Sequence, residues 1–281
     1  MAPLKRFGQN FLIDGNVADN IASAAAPQGA CALEVGPGMG ALTSRLLKRT
    51  SVLCAYEIDA GLSNALRDMF ADEPAFFLFH EDFLKADLKG RLASIYQGAD
   101  IYVAANLPYY ITTPCIMKMI EADLNIVSIT VMVQKEVAER LCAQPGGRDY
   151  GAISAAVGYF ADVKMLFGVS AGCFYPRPDV SSAVVQIKIK RKNDGGTEAQ
   201  GYLKTVRALF AMRRKTVKSN LRQSFDLLND EAARILKEAG VDENARAEML
   251  SVNDFERIAI VLKDNCKNFL ESGREKGFDV E

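Results

Sequence analysis

LEVGPGMGALT, residues 33–43, decides the fold. The apolar run CALEV (31–35) ends at Val35, and Gly36, Gly38 and Gly40 follow at alternate positions. Apolar residues at helical spacing then resume over 41–49. A buried strand, a glycine turn and a helix open a doubly wound α/β sheet. Glycines let the backbone pass close to a ligand, and the helix N-terminus behind them offers N–H groups. A plain tight turn uses the same residues, so the glycines alone do not name a ligand.

The same alternation continues outward. SVLCAYE (51–57), AFFLFH (75–80), IYVAA (101–105) and IVSITVMV (126–133) are short apolar, β-branched runs. Segments of helical length lie between them at 61–70, 84–96 and 112–122, and another helix is read at 134–143. Buried strands alternating with helices predict a parallel sheet covered on both faces. AVVQIKIK (183–190) alternates cleanly as one more strand, beyond the prolines of FYPRPDVSS (174–182). PGGRDYG (145–151) reads as an exposed loop and RKNDGGTEAQG (191–201) as a linker. After it the pattern is purely helical, in YLKTVRALFAM, TVKSNLRQSF, DEAARILKEAG and VNDFERIAIVLKDNC. Asn253 with Glu256 has the spacing of a capping box; Ser251 with Glu256 does not. The expected division is a catalytic α/β domain over 1–192 and a small helical domain over 193–281.

The ends of successive strands carry the chemistry. Strand two closes on Glu57, where a carboxylate can accept from ribose hydroxyls. The third closes on His80, followed by Glu81, Asp82 and Phe83. Asp82 is placed to accept from an adenine amino group, with Phe83 against the ring. The fourth runs into NLPYYIT (106–112). The Asn106 side-chain carbonyl and the Leu107 backbone carbonyl form a pair of acceptors for an exocyclic amine. Pro108 stiffens the turn, and Tyr109 can stack on a base drawn out of its helix. An adenine amine is a poor nucleophile because its lone pair is delocalised into the ring. Two acceptors on its hydrogens localise that pair toward an activated methyl group, so positioning matters more than a strong base.

Composition agrees with such an enzyme. The chain has 281 residues, 49% hydrophobic and 25% charged, enough for a sizeable core. Its single histidine, His80, leaves no room for a zinc site built on several histidines. The six cysteines are scattered with no C-x-x-C pair, so neither a metal knuckle nor a redox motif is expected. The N-terminus MAPLKRFGQNFLID lacks the apolar core of a secretory signal, and no apolar run reaches about 18 residues. A reduced cytoplasm is the expected compartment, with no membrane association.

GQNFLID, EVGPGMGALT, YEID, EDF, NLPYYIT, QKEVAERL and FYPRPDVSSAVV occur in this order, with RRKTVKSNL and RAEMLSV after them. Together they resemble the small-subunit ribosomal RNA adenine dimethyltransferases over essentially the whole chain. The resemblance implies a Rossmann-like methyltransferase sheet with an antiparallel last strand, plus the helical domain. It implies S-adenosylmethionine as cofactor, held by Asn10, Leu12, Gly36, Gly38, Glu57, Asp82, Phe83 and Asn106. It places the target adenine at Asn106, Leu107, Pro108 and Tyr109, with Phe174 stacked on its other face. Lys135 and Glu136 match a motif too and are read as structural. The implied reaction is dimethylation of two adjacent adenines near the 3′ end of 16S RNA, within the 30S subunit or its precursor. The sequence shows no heptads or internal repeat, which leaves a monomer as the default.

Two other readings stand beside this one. A ribosome-assembly factor would act mainly by binding, and an antibiotic-resistance methyltransferase would act on 23S RNA. Leu107, where relatives acting on DNA usually carry Pro, argues against a DNA substrate. Net charge first argues against RNA, with 34 Lys and Arg against 35 Asp and Glu and a pI near 6.0. Locally it does not. Lys204, Arg207, Arg213, Arg214, Lys215, Lys218 and Arg222 lie within 201–225 with no acidic residue among them. Lys188, Lys190, Arg191 and Lys192 precede them, and Asp194 and Glu198 are the only acids in 188–225. Arg213, Arg214, Lys215, Lys218 and Arg222 are the candidate RNA contacts.

Overall fold

The computed structural model describes residues 10–191 and 196–265. Gly8 and Gln9 of the N-terminal motif, Lys192, Asp194, Cys266 and the chain beyond it lie outside those residues. By contacts the chain parts into two compact units. One runs to 138 and takes up 161–190; the other holds 139–160 and the chain from 191 onward.

The first unit is the sheet. After β1 (Phe11–Leu12), helix α1 (Gly15–Ala25) starts at Asp14, whose carboxylate accepts from Val17 N–H at 3.1 Å. Strands β2 (Ala30–Val35), β3 (Thr50–Glu57), β4 (Phe76–His80), β5 (Ile101–Asn106) and β6 (Ile126–Gln134) are all parallel. The helices between them are α2 (Thr43–Leu46), α3 (Ala60–Met69), α4 (Leu88–Tyr96) and α5 (Thr112–Glu121). After α6 (Lys135–Cys142) and α7 (Ala152–Phe160) come β7 (Ala161–Val169), β8 (Phe174–Tyr175) and β9 (Ser182–Ile189). The strand order is β4-β3-β2-β5-β6-β9-β7, and β9 runs antiparallel to both neighbours. Such a mostly parallel sheet with an antiparallel last strand is a Rossmann-like α/β architecture. The central strands read as near-continuous apolar runs because both faces are buried. Edge strand β7 instead carries the exposed Asp162 and Lys164, which blunt the edge. β1 and β8 form a separate ribbon, pairing Leu12 with Phe174.

The second unit is helical: α7, α8 (Thr197–Phe210), α9 (Val217–Phe225), α10 (Asn229–Glu238) and α11 (Val252–Asn265). Its core is aromatic. Tyr159 stacks on Tyr202 at 3.9 Å between centroids, and Phe210 stacks on Phe255 at 5.7 Å. The buried Tyr202 hydroxyl donates to the Ala155 carbonyl at 2.9 Å. The later division falls at 190/191, beside the expected boundary at 192, and these contacts explain an excursion before it. Residues 139–160 pack with the C-terminal helices, and only then does the chain return to the sheet as β7.

Two smaller expectations also change. Helix α8 begins at Thr197, inside the stretch read as linker. The cap of α11 is not Asn253 with Glu256. Ser251 and Asp254 cap it reciprocally: Ser251 N–H donates to the Asp254 carboxylate at 2.8 Å, and Asp254 N–H to Ser251 Oγ at 3.2 Å. Glu256 is engaged elsewhere, at 2.6 Å from Arg191.

The turn between α8 and α9 holds Arg213, Arg214 and Lys215 and is fixed from below by Asn220. That side chain is buried, and its amide donates to the carbonyls of Leu209 (2.6 Å) and Met212 (3.1 Å). Asn220→Ala leaves two carbonyls of the turn without this donor and is expected to destabilise the protein by about 1–3 kcal/mol. Urea denaturation checks this; an unchanged midpoint would show that the turn does not depend on the amide.

Candidate active site

The carboxyl ends of β4, β3, β2 and β5 lie side by side and open onto one cleft of about 310 Å³. That is the low end of the range of roughly 300–1,000 Å³ typical of small-molecule sites. The cleft is lined by Asn10, Leu12, Gly36, Gly38, Glu57, Asp82, Phe83, Asn106, Leu107, Pro108 and Tyr109. Every predicted cofactor residue is therefore in one place, as are four of the five predicted base-site residues.

The glycine turn is built differently from the expectation. The helix expected over 41–49 contracts to Thr43–Leu46, so no long helix stands behind the turn. Nor are its N–H groups free for an anion. Gly36 N–H donates to the Tyr56 carbonyl at 3.0 Å and Gly40 N–H to that of Pro37 at 3.0 Å. Gly38 N–H donates to Glu57 Oε2 at 3.1 Å. Gly38 has φ +58°, and a Cβ there would sit 3.2 Å from the Phe11 ring. Its use is close approach and left-handed backbone.

Glu57 is 4% exposed, and its other oxygen accepts from Asp59 N–H at 2.9 Å. Burial is the main influence on its carboxyl and raises its pKa; the two backbone N–H groups oppose that. Asp59 caps α3, accepting from Gly61 (2.8 Å) and Leu62 (3.1 Å). Asp82 accepts from Leu84 N–H at 3.0 Å, and Lys118 donates to the carbonyls of Leu84 (2.9 Å) and Ala86 (2.7 Å). These bonds hold the loop that presents Phe83, which packs edge-on against Tyr56.

Glu34 also faces the cleft and was not singled out from the sequence, although a carboxylate inside a buried strand is itself a signal. It is 1% exposed, and its Oε2 has no hydrogen-bond partner. Burial pushes its carboxyl up to about 8; nearby Thr43 eases this, and the charge of Glu57 adds to it. Four carboxyl groups, Glu34, Glu57, Glu81 and Asp82, thus line the cleft, and among the described residues no Lys, Arg or His does, although Arg91 pairs with Glu81 at 2.9 Å and Lys85 with Asp82 at 3.7 Å. A dinucleotide pyrophosphate finds no cation in this lining, and the N–H groups of Gly36, Gly38 and Gly40 are already taken. A cationic ligand fits.

Asn106 ends β5, and its Nδ2 donates to the Asn10 carbonyl at 3.1 Å. The amide is thereby oriented, and Oδ1 remains as the acceptor. Leu107 is buried and its amide donates to the Met132 carbonyl at 3.2 Å, so its carbonyl is the backbone group left for a ligand. Tyr109 is half-buried in a short turn after Pro108, and Tyr110 beside it is 60% exposed. Phe174 is the exception. It is 4% exposed, belongs to the core with Leu12, Ile21 and Val184, and does not line the cleft. In this arrangement its ring packs at the β1–β8 ribbon, where Phe174 pairs with Leu12. His80 is exposed and outside the cleft. Lys135 and Glu136 are exposed on the first turn of α6, where Lys135 N–H donates to the Ser181 carbonyl at 3.0 Å.

The profile of the ribosomal RNA adenine dimethylases matches residues 4–264. The chain belongs to that family. It is therefore an S-adenosylmethionine-dependent enzyme that dimethylates adenine in ribosomal RNA, and the acidic cleft suits that sulfonium cofactor. Similar proteins include ribosomal RNA small subunit methyltransferase A of Clostridioides difficile, 41% identical over 92% of this chain and 90% of the relative. That of Shouchella clausii is 42% identical over 92% and 89%. Among solved structures, a dimethyladenosine transferase from Plasmodium falciparum is similar with TM-score 0.76 and 22% identity, over 90% of this chain and 98% of that one. The 23S rRNA methyltransferase ErmE gives 0.66 and 24% over 90% and 100%. At those identities the two structures speak for the fold alone.

In the dimethylase's helical unit Arg213, Arg214, Lys215 and Arg222 are exposed, and none is in an ion pair among the described residues. Lys218 is half-buried and bonded to Glu243 at 2.9 Å. The eleven-residue basic run is thus not one free patch. Lys190 is paired with Asp162 at 2.8 Å and Arg191 with Glu256.

The buried Glu34 has a checkable signature. A carboxyl raised on folding binds more protons in the native than in the unfolded state, so its penalty is absent near pH 4 and grows as pH rises toward 8. Glu34→Gln is expected to raise the melting temperature over wild type at pH 8 and to leave it nearly unchanged at pH 4.5. An equal shift at both values would contradict the burial argument.

Proposed function

We propose that this enzyme dimethylates the exocyclic amines of two adjacent adenines near the 3′ end of 16S RNA, in the 30S particle or its precursor. The relatives named as small-subunit methyltransferases support the choice of subunit. The observation that carries the chemistry is Asn106, which lines the cleft and whose Nδ2 donates to the Asn10 carbonyl, leaving Oδ1 as the acceptor.

The cofactor supplies an electrophilic methyl group on a sulfonium. Glu57 accepts from its ribose, Asp82 from its adenine amine, and Phe83 lies against that ring. Glu34, buried and with its carboxyl raised to about 8, lines the cleft beside Glu57. Asn106 Oδ1 and the Leu107 carbonyl accept the two hydrogens of the target amine and turn its lone pair toward the methyl group. Tyr109 stacks on the flipped base, a contact of roughly 1–3 kcal/mol. After transfer the nitrogen sheds one proton to solvent. His80, exposed and outside the cleft, takes no part. A second round needs a site that still accepts the monomethyl amine with one hydrogen left to bond. The protein works as a monomer in the cytoplasm, where small subunits mature.

Transfer of labelled methyl groups to purified 30S particles, naked 16S RNA, 50S particles and DNA tests this reading. Label is expected in 30S, mapping to dimethyladenine, and Asn106→Ala is expected to reduce transfer by at least about 100-fold. Label confined to 50S or DNA would overturn it.

The exposed arginines of the α8–α9 turn serve as phosphate contacts. Arg213→Ala with Arg214→Ala is expected to weaken RNA binding and to lower the salt slope by about two, with cofactor affinity unchanged. Filter binding at several salt concentrations measures this. Equal loss of RNA and cofactor binding would assign these arginines to the fold instead.

A further inference from the structure

Tyr109 is the one aromatic residue of the proposed base site whose hydroxyl is engaged by the protein, and its partner lies 73 positions away in sequence. Tyr109 Oη and Ser182 Oγ are 3.3 Å apart, close enough for either to donate. Ser182 is 1% exposed and opens β9. It is paired with Gln134 of β6 on one side and with Val169 of β7 on the other. Few positions in this sheet are held more firmly. Gln134 ends β6, so Ser182 sits at the same carboxyl edge as Asn106.

The surroundings explain why such a tie is needed. Tyr109 lies in a single 3-10 turn (Tyr109–Ile111), outside any strand and only half-buried. A ring there can swing about χ1 and χ2, and neighbouring Tyr110 is largely exposed. Stacking depends on the plane of the ring, and a misplaced platform loses the geometry that makes an amine reactive. The turn's backbone has its own bonds, from Ile111 N–H (3.2 Å) and Thr112 Oγ1 (3.3 Å) to the Pro108 carbonyl. The far end of the Tyr109 side chain has the Ser182 hydroxyl.

We infer that Ser182 is a positioning residue: through its hydroxyl it sets the ring plane of Tyr109, and so the angle at which the target base is presented to Asn106. This rests on the proposed role of Tyr109. Ser182 touches neither substrate nor cofactor; it does not line the cleft. The antiparallel last strand thereby gains a part in catalysis besides closing the sheet. Any residue without a hydroxyl here leaves the Tyr109 ring tethered at its backbone end only.

A double-mutant cycle on the full chain tests this, with 30S particles as substrate and kcat/KM for RNA, cofactor affinity and melting temperature as readouts. Ser182→Ala and Tyr109→Phe are each expected to lower kcat/KM roughly three- to ten-fold, as for one net hydrogen bond, with cofactor affinity unchanged. The double variant is expected to be no worse than either single one. A packing role for Ser182 would persist in the Tyr109→Phe background, so multiplicative losses overturn the inference. Tyr109→Ala separates it from the reading beneath it. Full activity of Ser182→Ala beside an inactive Tyr109→Ala overturns the inference alone. Full activity of Tyr109→Ala removes the base-site reading and the inference with it.

Discussion

The bond from Gly38 N–H to Glu57 Oε2 is the constraint on which the site depends. It joins the turn after β2 to the end of β3, the two strand ends that frame the cleft. One buried carboxylate closes the glycine turn, accepts from Asp59 beside it, and retains lone pairs for a ligand. Without it the Gly38 N–H would point into the cleft as a free donor, the feature that phosphate-binding turns of the same sheet use. The glycine-rich turn here has been converted from an anion site into part of an acidic wall.

From that wall the rest follows. Burial raises the Glu34 carboxyl to about 8, and a nearby cation would favour its ionised form. On the other side of β2, the Asn10 carbonyl takes the Asn106 amide N–H, which leaves Oδ1 as the acceptor end of that side chain. On the proposed reading, two carbonyl-type acceptors, placed by a strand end and a proline turn, take the place of a general base, and a chain with one surface histidine can run the reaction.

Much of this was legible in the sequence, because it depends on residue types at strand ends. Parallel strands put successive carboxyl ends on one edge, so Gly38, Glu57, Asp82 and Asn106 could be placed together from periodicity alone. Helix α7 was not legible. AISAAVGYF is apolar all round and buried all round, so it has no polar face to mark a period. Missing it hid the excursion of 139–160 into the helical unit. Ser182 carried no signal in the sequence, since a serine opening a strand is ordinary and its partner lies far along the chain.

The central claim is that a cleft of buried carboxyl groups recognises a cation. Isothermal titration of the enzyme with S-adenosylmethionine at pH 6.5, in two buffers of different ionisation enthalpy, tests it most directly. The ligand's α-amino group is already protonated at that pH, so any change in bound protons comes from the protein. Burial raises the carboxyls of Glu34 and Glu57, and an arriving positive charge lowers them again. The account predicts net proton release on binding, diminished in Glu34→Gln. Proton uptake, or binding with no change in either protein, would contradict it.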